Sequence, residues 1–491
     1  MTANKKKALE LAKRLWPYFF LALYLLVNGA LIVNHENWRD EAQAWQIAKH
    51  LSLPGLFQQL KYEGHPCLWF LILLPFAKLG LPFAWMGFLS LLLMAAGAWL
   101  LLRKAPFCIP LKALLLFGSF FVYYYPVISR SYCLIPPLLA WLALLYPKRR
   151  EQPLWYGTAL ALLTQTHIFM IGLSFLLSFF WLLELLWEWK KGRREKRNVL
   201  ENGAGMGISL ASALFLIWEL AGSVGSNVGV DVHISSSLHS NLHRINVGTH
   251  WAINELLGMG LSDSAWKLWR LVIVLGMAAL LFYAWKEALI YIGTVGIQFL
   301  MFTYVNLASP QKAMLLAHEL IFILWIILEN KKERRIEKWC WQTALALLAL
   351  VCIQGHGSRI LGDLSQAYSS SKGMADYIRT NISADTPVIT TGDVYAEGAA
   401  AYLSEREIWY PVTESAVTFL VWDEKRSESI SYEELLVRVK RQYPDAEEMY
   451  LLHGEGGNVQ DVENYRSQMQ EILRIDATAP NESTVLYYVK F

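Results

Sequence analysis

The stretch WPYFFLALYLLVNGALIVN, residues 16–34, carries no charge and has the length that a helix needs to cross a bilayer. Similar apolar runs recur along the chain up to about residue 354 and then stop. Hydrophobic residues make up 55% of the 491 residues and charged residues only 17%, whereas a soluble domain carries about 25% charged residues. The composition excludes a soluble globular protein and predicts an integral membrane protein with many spanning helices.

Other classes of protein are excluded by charge and cysteine usage. The formal net charge is only +3, and the basic residues cluster in short loops, which is not the pattern of a nucleic-acid-binding surface. The cysteines lack the paired spacing of a zinc site or a disulfide framework, and we interpret them as small buried apolar residues. They are Cys67, Cys108, Cys133, Cys340 and Cys352. The first apolar run is too long for a signal peptide, so we expect it to remain as an uncleaved helix.

Short loops rich in Lys and Arg stay on the cytoplasmic side of a membrane and therefore fix the topology. Such clusters occur in the N-terminal segment and in four later loops, at residues 103–104, 148–150, 190–197 and 331–335. The sequence predicts about eleven spanning segments, at residues 16–34, 82–102, 111–128, 132–147, 153–169, 171–189, 203–222, 266–284, 288–306, 312–329 and 339–355. This arrangement keeps every basic cluster and the N-terminus cytoplasmic and makes the C-terminus extracytoplasmic.

The apolar run at residues 66–80 is shorter than a crossing requires and contains Pro75. If it crossed the membrane, nearly every later loop would change sides. We therefore expect a re-entrant or juxtamembrane helix that enters the outer leaflet and returns.

After about residue 356 the apolar runs are replaced by short strand and helix patterns, which divides the chain into a membrane domain, 1–356, and a small α/β domain, 357–491. The patterns predict strands at 387–391, 418–422, 448–452 and 484–489, and helices at 432–442 and 462–473. Strands that alternate with helices indicate a small, mainly parallel sheet. We expect this extracytoplasmic domain to have an accessory role.

The first external loop concentrates residues that could carry chemistry. Arg39, Asp40 and Glu41 follow the first helix, and Glu63 and His65 lie just before the apolar run at its end. Transfer of a sugar needs a carboxylate that accepts the proton of the attacking hydroxyl and cationic groups that stabilise a departing phosphate. Either acid of the pair could be that base. An isolated acidic pair in a loop is ordinarily only solvated, and the neighbouring apolar helix is what favours a site here.

Two later external turns add polar residues. Arg130 and Tyr132 follow the third predicted helix, where an arginine could grip a phosphate with two hydrogen bonds or anchor the helix at the membrane surface. His167 lies at the end of another helix, where a satisfied polar residue is the simpler interpretation. Four histidines of the long loop lack an HExxH-like pattern, so no metal site is predicted. They are His233, His239, His243 and His250.

These motifs together resemble the GT-C membrane glycosyltransferases, and more narrowly the protein mannosyltransferase and aminoarabinose transferase branch, which is glycosyltransferase family 39-like. The similarity rests on Asp40-Glu41 after the first helix, GHPCLWF at residues 64–70 and SRSY at residues 129–132, within about residues 15–190. Cys67 stands where the family usually has a second proline, and no clear second acid follows the third helix.

The resemblance implies a GT-C-like fold and roles for individual residues. Asp40 would be the base, with Glu41 beside it, and His65 and Arg130 would face the phosphate of the donor. We add Tyr132 to the phosphate-binding residues because it shares the Arg130 turn. Three further residues are candidates for substrate binding: Arg39, Glu63 and His167.

The expected function is transfer of a sugar from a polyprenyl-phosphate-linked donor to an acceptor hydroxyl at the external face of a cell-envelope membrane. The acceptor could be a lipid, a glycan or a protein. No cofactor is indicated, and help from a divalent metal is left open. One alternative is a transporter or flippase for lipid-linked glycans, which predicts ionisable residues within spans, broken helices and internal repeats. Another is a polymerase or ligase of surface polysaccharide, which would use similar external loops.

Overall fold

The computed structural model describes residues 3–191, 196–221, 236–330, 335–403, 405–422 and 428–491. The chain is an α-helical polytopic membrane protein with a small C-terminal α/β domain. The α-helices are α1 (Ala3–Asn34), α2 (Arg39–His50), α3 (Leu53–Glu63), α4 (Leu68–Lys78), α5 (Trp85–Lys104), α6 (Ile109–Leu116), α7 (Ile135–Leu145), α8 (Pro153–Thr164), α9 (Ile171–Lys190), α10 (Lys196–Leu220), α11 (Leu238–Leu257), α12 (Asp263–Tyr283), α13 (Trp285–Tyr304), α14 (Pro310–Asn330), α15 (Arg335–Gly362), α16 (Ser371–Asn381), α17 (Asp393–Tyr402) and α18 (Tyr432–Gln442).

Among the described residues, eight helical stretches are long and apolar enough to cross a membrane. They are Glu10–Asn34, Trp85–Lys104, Ile168–Lys190, Val199–Leu220, Asp263–Tyr283, Trp285–Tyr304, Pro310–Asn330 and Glu337–Gly362. Each corresponds over most of its length to one predicted span. The other three predicted spans, at 111–128, 132–147 and 153–169, fall on the shorter helices α6, α7 and α8.

The predicted helix at residues 111–128 is wrong beyond Leu116, where the chain continues as irregular buried backbone. Tyr123 has a φ of 77°, which an α-helix does not allow. Asn28 of α1 accepts a hydrogen bond from the Tyr123 N–H at 3.2 Å, and the Tyr24 hydroxyl donates to the Phe121 carbonyl at 2.9 Å. Irregular backbone at membrane depth is tolerated only where protein surrounds it and satisfies its polar groups. Side chains of α1 thus help to hold the segment that leads to Arg130.

The run at residues 66–80 forms α4, which contains 11 residues. At 1.5 Å per residue this helix is about 16 Å long, roughly half the hydrocarbon thickness of a bilayer. It is therefore too short to cross. Trp69, Phe70 and Leu73 are buried, and α4 packs against α2, which bears the acidic pair. The packing fixes the first loop on the membrane helices.

The C-terminal domain contains a six-stranded sheet in the order β3-β2-β1-β5-β8-β7 and a separate pair, β4 with β6. The strands are β1 (Val388–Thr390), β2 (Trp409–Tyr410), β3 (Ser415–Ala416), β4 (Ile430–Ser431), β5 (Glu448–Gly454), β6 (Val459–Gln460), β7 (Gln470–Ile475) and β8 (Thr484–Lys490). In the large sheet only β1 with β2 and β1 with β5 are parallel. The other three pairings are antiparallel, so the prediction of a mainly parallel sheet is wrong.

Local predictions in this domain have mixed outcomes. The strands expected at 387–391, 448–452 and 484–489 and the helix at 432–442 are confirmed. The α-helix expected at 462–473 is wrong, because Val462–Gln468 form a 3-10 helix and residues 470–475 pair with β8 at the sheet edge. The strand expected at 418–422 is also wrong. There the backbone of Leu420 is hydrogen-bonded by side chains of α2 and α3 instead of another strand.

The C-terminal domain packs directly on the first loop. The Tyr402 hydroxyl accepts from the Asn37 N–H at 3.0 Å, and the Tyr368 N–H donates to the Glu36 carboxylate at 2.8 Å. The division proposed at residue 356 lies inside α15, which continues to Gly362. The first loop consequently lies between the membrane helices and the C-terminal domain.

Candidate active site

An ion pair between Asp40 and Arg130 is at the centre of the site. Asp40 lies in the first turn of α2, where the helix dipole favours a negative charge. Arg130 follows the irregular segment and directly precedes a 3-10 turn, Ser131–Leu134. Its Nη1 lies 2.8 Å from Asp40 Oδ2, and the two side chains are 18% and 32% exposed. Both charged groups are therefore partly shielded and still reachable by a substrate.

His65 adjoins the second nitrogen of the same guanidinium. Gly64 ends α3 with a φ of 64°, a left-handed conformation that favours glycine, and this turns the chain towards His65. Arg130 Nη2 lies 3.3 Å from His65 Nε2. A guanidinium can only donate, so His65 Nε2 accepts and the proton of the neutral ring lies on Nδ1. Burial, and then the charge of Arg130, lower the pKa of His65 to about 3.

Three rings continue from this pair into the protein. His65 and His167 lie 5.4 Å apart between ring centroids, and His167 stacks on Tyr132 at 4.7 Å. The Arg130 guanidinium lies 5.7 Å from the Tyr132 ring centroid. Each ring has one buried polar atom without a hydrogen-bond partner in the described part of the chain: His65 Nδ1, His167 Nε2 and Tyr132 OH. Buried polar atoms are normally paired, so this cluster has the character of a ligand-binding site.

Glu41 occupies a different environment from Asp40. It is fully buried, and its Oε1 accepts from Ser129 N–H at 2.7 Å and from Asn37 Nδ2 at 3.1 Å. Its Oε2 accepts from Trp38 N–H at 3.1 Å and lies 3.4 Å from His35 Nε2. The carboxylate therefore holds the residue before Arg130 in place. Glu41 is therefore enclosed by its hydrogen-bond partners, and Asp40 is the partly exposed acid of the pair.

The other two candidates of the first loop, Arg39 and Glu63, both interact with Asp40 electrostatically. Arg39 Nε is 3.8 Å from Asp40 Oδ1 and 3.7 Å from Oε1 of Glu482, which belongs to the C-terminal domain. Glu63 Oε1 accepts from the side-chain amides of Gln43 and Gln59, both at 2.7 Å. Burial raises the pKa of Glu63 to about 7, although these two hydrogen bonds oppose the rise. Glu63 therefore changes its charge near neutral pH, close to Asp40.

Lys312 is a site residue that the sequence analysis missed. It lies in the first turn of α14, donates from Nζ to the Leu307 carbonyl at 3.1 Å, and acts electrostatically on His65 together with Arg130. In the sequence, only its position at the predicted external end of a span indicated that it could belong to the site. The proximity of Glu482 to Arg39 could not be predicted from the sequence. The two residues lie more than 400 positions apart along the chain, and the fold alone brings them together.

Histidines of the long loop show no ligand cluster in the residues described. His233 lies outside those residues. His250 stacks on the Trp266 ring at 4.8 Å, which is an ordinary packing contact. No group of three or more His, Cys, Asp or Glu side chains that could hold a metal occurs in the described ranges.

No protein-family model matches the chain, and no curated protein matches its sequence. The chain is similar to the crystal structures of ArnT from Cupriavidus metallidurans bound to undecaprenyl phosphate and in the apo state. The identity is 11% and the TM-score 0.49 in both cases. The likeness covers 96% of this chain and 98% of the bound ArnT chain, and 97% and 98% for the apo form.

Proposed function

We propose that the protein transfers a sugar from a polyprenyl-phosphate donor to an acceptor hydroxyl at the external face of the membrane. The observation that carries this proposal is the partly exposed Asp40–Arg130 pair beside polar atoms of His65, Tyr132 and His167 that have no hydrogen-bond partner among the described residues. A carboxylate, a guanidinium fork and uncharged hydrogen-bond donors are the groups that such a transfer requires.

Asp40 acts as the general base. It takes the proton of the acceptor hydroxyl while that oxygen bonds to the anomeric carbon of the donor sugar. The bond between the anomeric carbon and the phosphate oxygen breaks, and its electron pair leaves with the polyprenyl phosphate. The new glycosidic bond and the free lipid phosphate are the products.

Arg130, with support from Lys312, stabilises the phosphate as its charge increases. The guanidinium has five N–H donors, so Nη1 can hold Asp40 while its other donors bind phosphate oxygens. His65 Nδ1–H and the Tyr132 hydroxyl add uncharged donors from the same cluster. A neutral His65 suits this role, because it does not add a charge beside Arg130.

A transporter of lipid-linked glycans is the second candidate, and one residue favours it. Glu319 is fully buried in α14, and its Oε1 accepts from the Gln298 amide of α13 at 2.5 Å. Ionisable residues inside spans often mark transport pathways. A polysaccharide polymerase or ligase would share the chemistry at Asp40 and differ only in the acceptor.

The orientation of the chain follows from the basic loops and is also part of the proposal. In a variant without native cysteines, single cysteines at Ser236 and Glu428 should react with a membrane-impermeant thiol reagent in intact cells. A cysteine at Lys191 should react only after the cells are opened. All three positions are exposed in the fold. The reverse labelling pattern would overturn the assignment of the C-terminal domain to the outside.

Binding of the lipid phosphate can be measured without knowledge of the sugar. Purified protein in detergent should bind undecaprenyl phosphate and discriminate against undecaprenol, which has the same chain without the phosphate. We expect at least about a tenfold preference, the effect of one charge-assisted hydrogen bond. Equal binding of both lipids would contradict the assignment of a phosphate site.

A further inference from the structure

His35 lies directly behind the proposed site, at the point where α1 ends. The imidazole is buried between two carboxylates from distant parts of the chain. Its Nδ1 lies 2.9 Å from Asp363 Oδ2, and its Nε2 lies 3.4 Å from Glu41 Oε2. Asp363 directly follows the last residue of α15. One ring thus connects the first helix, the first loop and the start of the C-terminal domain.

Both ring nitrogens face carboxylate oxygens, and this decides the charge of His35. An ionised carboxylate can only accept hydrogen bonds, so each nitrogen must carry a proton for both contacts to be hydrogen bonds. The ring is then an imidazolium. Burial alone would lower its pKa, but the hydrogen bonds to Asp363 and Glu41 outweigh burial and raise it to about 10.

The other groups that face the ring are consistent with a cation. Tyr368 lies 4.7 Å and Tyr123 6.2 Å from it between ring centroids. Glu36, the next residue along the chain, interacts with His35 electrostatically. The imidazolium is therefore surrounded by carboxylates and phenol rings.

Contacts through Glu41 lead from His35 to the catalytic groups. The other oxygen of Glu41 accepts the Ser129 N–H, and Ser129 is bonded to Arg130. We propose that His35 is a positioning residue, which as an imidazolium bridges Glu41 and Asp363 and so holds Arg130 in place to bind a phosphate next to Asp40. The inference rests on the proposed function. His35 does not contact substrate in this scheme. Phosphate binding by Arg130 then depends on the contact of His35 with Asp363 of the C-terminal domain.

The protonation state gives this role a pH signature. In an unfolded chain histidine titrates near about pH 6.5, whereas folded His35 titrates near 10. The contribution of the bridge to stability is therefore complete below about pH 6.5 and is lost as the pH rises towards 10. The affinity for a lipid phosphate should follow protonation of the folded bridge and remain high until the pH nears 10.

The test compares His35→Gln with the parent protein. Glutamine can donate to one carboxylate but cannot supply the charge. His50→Gln is the matched control, since His50 is an exposed histidine on α2. Undecaprenyl phosphate affinity of the folded, monodisperse fraction is measured from pH 6.5 to 10. We expect His35→Gln to bind about tenfold more weakly at pH 7, as for loss of one charge-assisted hydrogen bond, and His50→Gln to bind as the parent does.

Comparing the two proteins at each pH cancels the titration of the phosphate itself. The ratio of their affinities should begin to fall as the pH nears 10, where about half of the folded His35 is still protonated. If His35→Gln does not fold, Asp363→Asn takes its place, because this variant keeps the contact between His35 and Glu41. It should lose less affinity for undecaprenyl phosphate, with the same pH trend. An equal affinity for parent and His35→Gln, or a ratio that does not change with pH, would overturn the inference about His35. A parent protein that does not bind the lipid phosphate would instead overturn the proposed function.

Discussion

The Asp40→Asn protein is expected to lose about 10² to 10⁴ in turnover, the usual effect of removing a general base, while it remains folded. The carboxamide keeps the shape of the side chain and can still accept a hydrogen bond from Arg130, but it cannot take a proton from the acceptor. It also removes a negative charge beside the proposed phosphate position. Binding of undecaprenyl phosphate should consequently be as tight as in the parent or tighter.

The measurement is single-turnover sugar transfer by purified protein, with lipid phosphate affinity determined in parallel. Asp385→Asn is the matched control, because Asp385 is an exposed aspartate of the C-terminal domain. Glu41→Gln provides the contrast. Its amide cannot accept all the hydrogen bonds that Glu41 receives, so this variant should have a clearly lower thermal midpoint than Asp40→Asn. Near-normal transfer by Asp40→Asn, with an inactive but stable Glu41→Gln, would mean that the other acid is the base.

Arg130→Lys is expected to weaken the lipid phosphate interaction by about 1.5 to 3 kcal/mol, or roughly ten- to a hundredfold. Lysine keeps the charge but loses the planar fork that can hold Asp40 and a phosphate at the same time. If Arg130 only anchored a helix at the membrane surface, the lysine substitution would have almost no effect on lipid phosphate binding. Expression and thermal stability should remain close to those of the parent.

Donor kinetics and undecaprenyl phosphate affinity of Arg130→Lys should be compared with those of Arg14→Lys. Arg14 is an exposed arginine near the start of the first helix, on the predicted cytoplasmic side. The donor KM should rise for Arg130→Lys and stay unchanged for Arg14→Lys. Unchanged kinetics in both proteins would reduce Arg130 to an interfacial anchor and remove the main cation from the proposed site.

The sequence predicted those parts of the fold that depend on local hydropathy. The spans Glu10–Asn34 and Trp85–Lys104 carry charged residues only near one end, so hydropathy alone reveals them. The segment after Leu116 is just as apolar but is not helical, because side chains of α1 and other helices satisfy its backbone. The edge strand β7 has an amphipathic helical pattern and becomes a strand through pairing with β8. In both cases tertiary contacts override the local signal.

The candidate residues of the site were predictable as single motifs, because they cluster beside apolar helices at loops that the sequence predicts to lie on one side of the membrane. The different roles of these residues could not be predicted from the sequence. Asp40 and Glu41 are adjacent in the sequence, and only the Ser129 N–H and His35 distinguish the buried acid from the accessible one. The carboxylate of Asp363 that pairs with His35 comes from the start of the C-terminal domain, far from His35 in the sequence, so no local pattern could reveal it.

Single-turnover transfer from a labelled donor tests the central claim most directly. Purified protein in liposomes is mixed with polyprenyl phosphates that carry different labelled sugars and with extracts of cell-envelope lipids, glycans and proteins. The proposed chemistry predicts that label leaves the lipid carrier for an acceptor, that one free polyprenyl phosphate is released for each sugar transferred, and that Asp40→Asn abolishes both. Label that crosses the bilayer while it remains on its lipid carrier, equally in the parent and in Asp40→Asn, would contradict glycosyl transfer and identify a transporter.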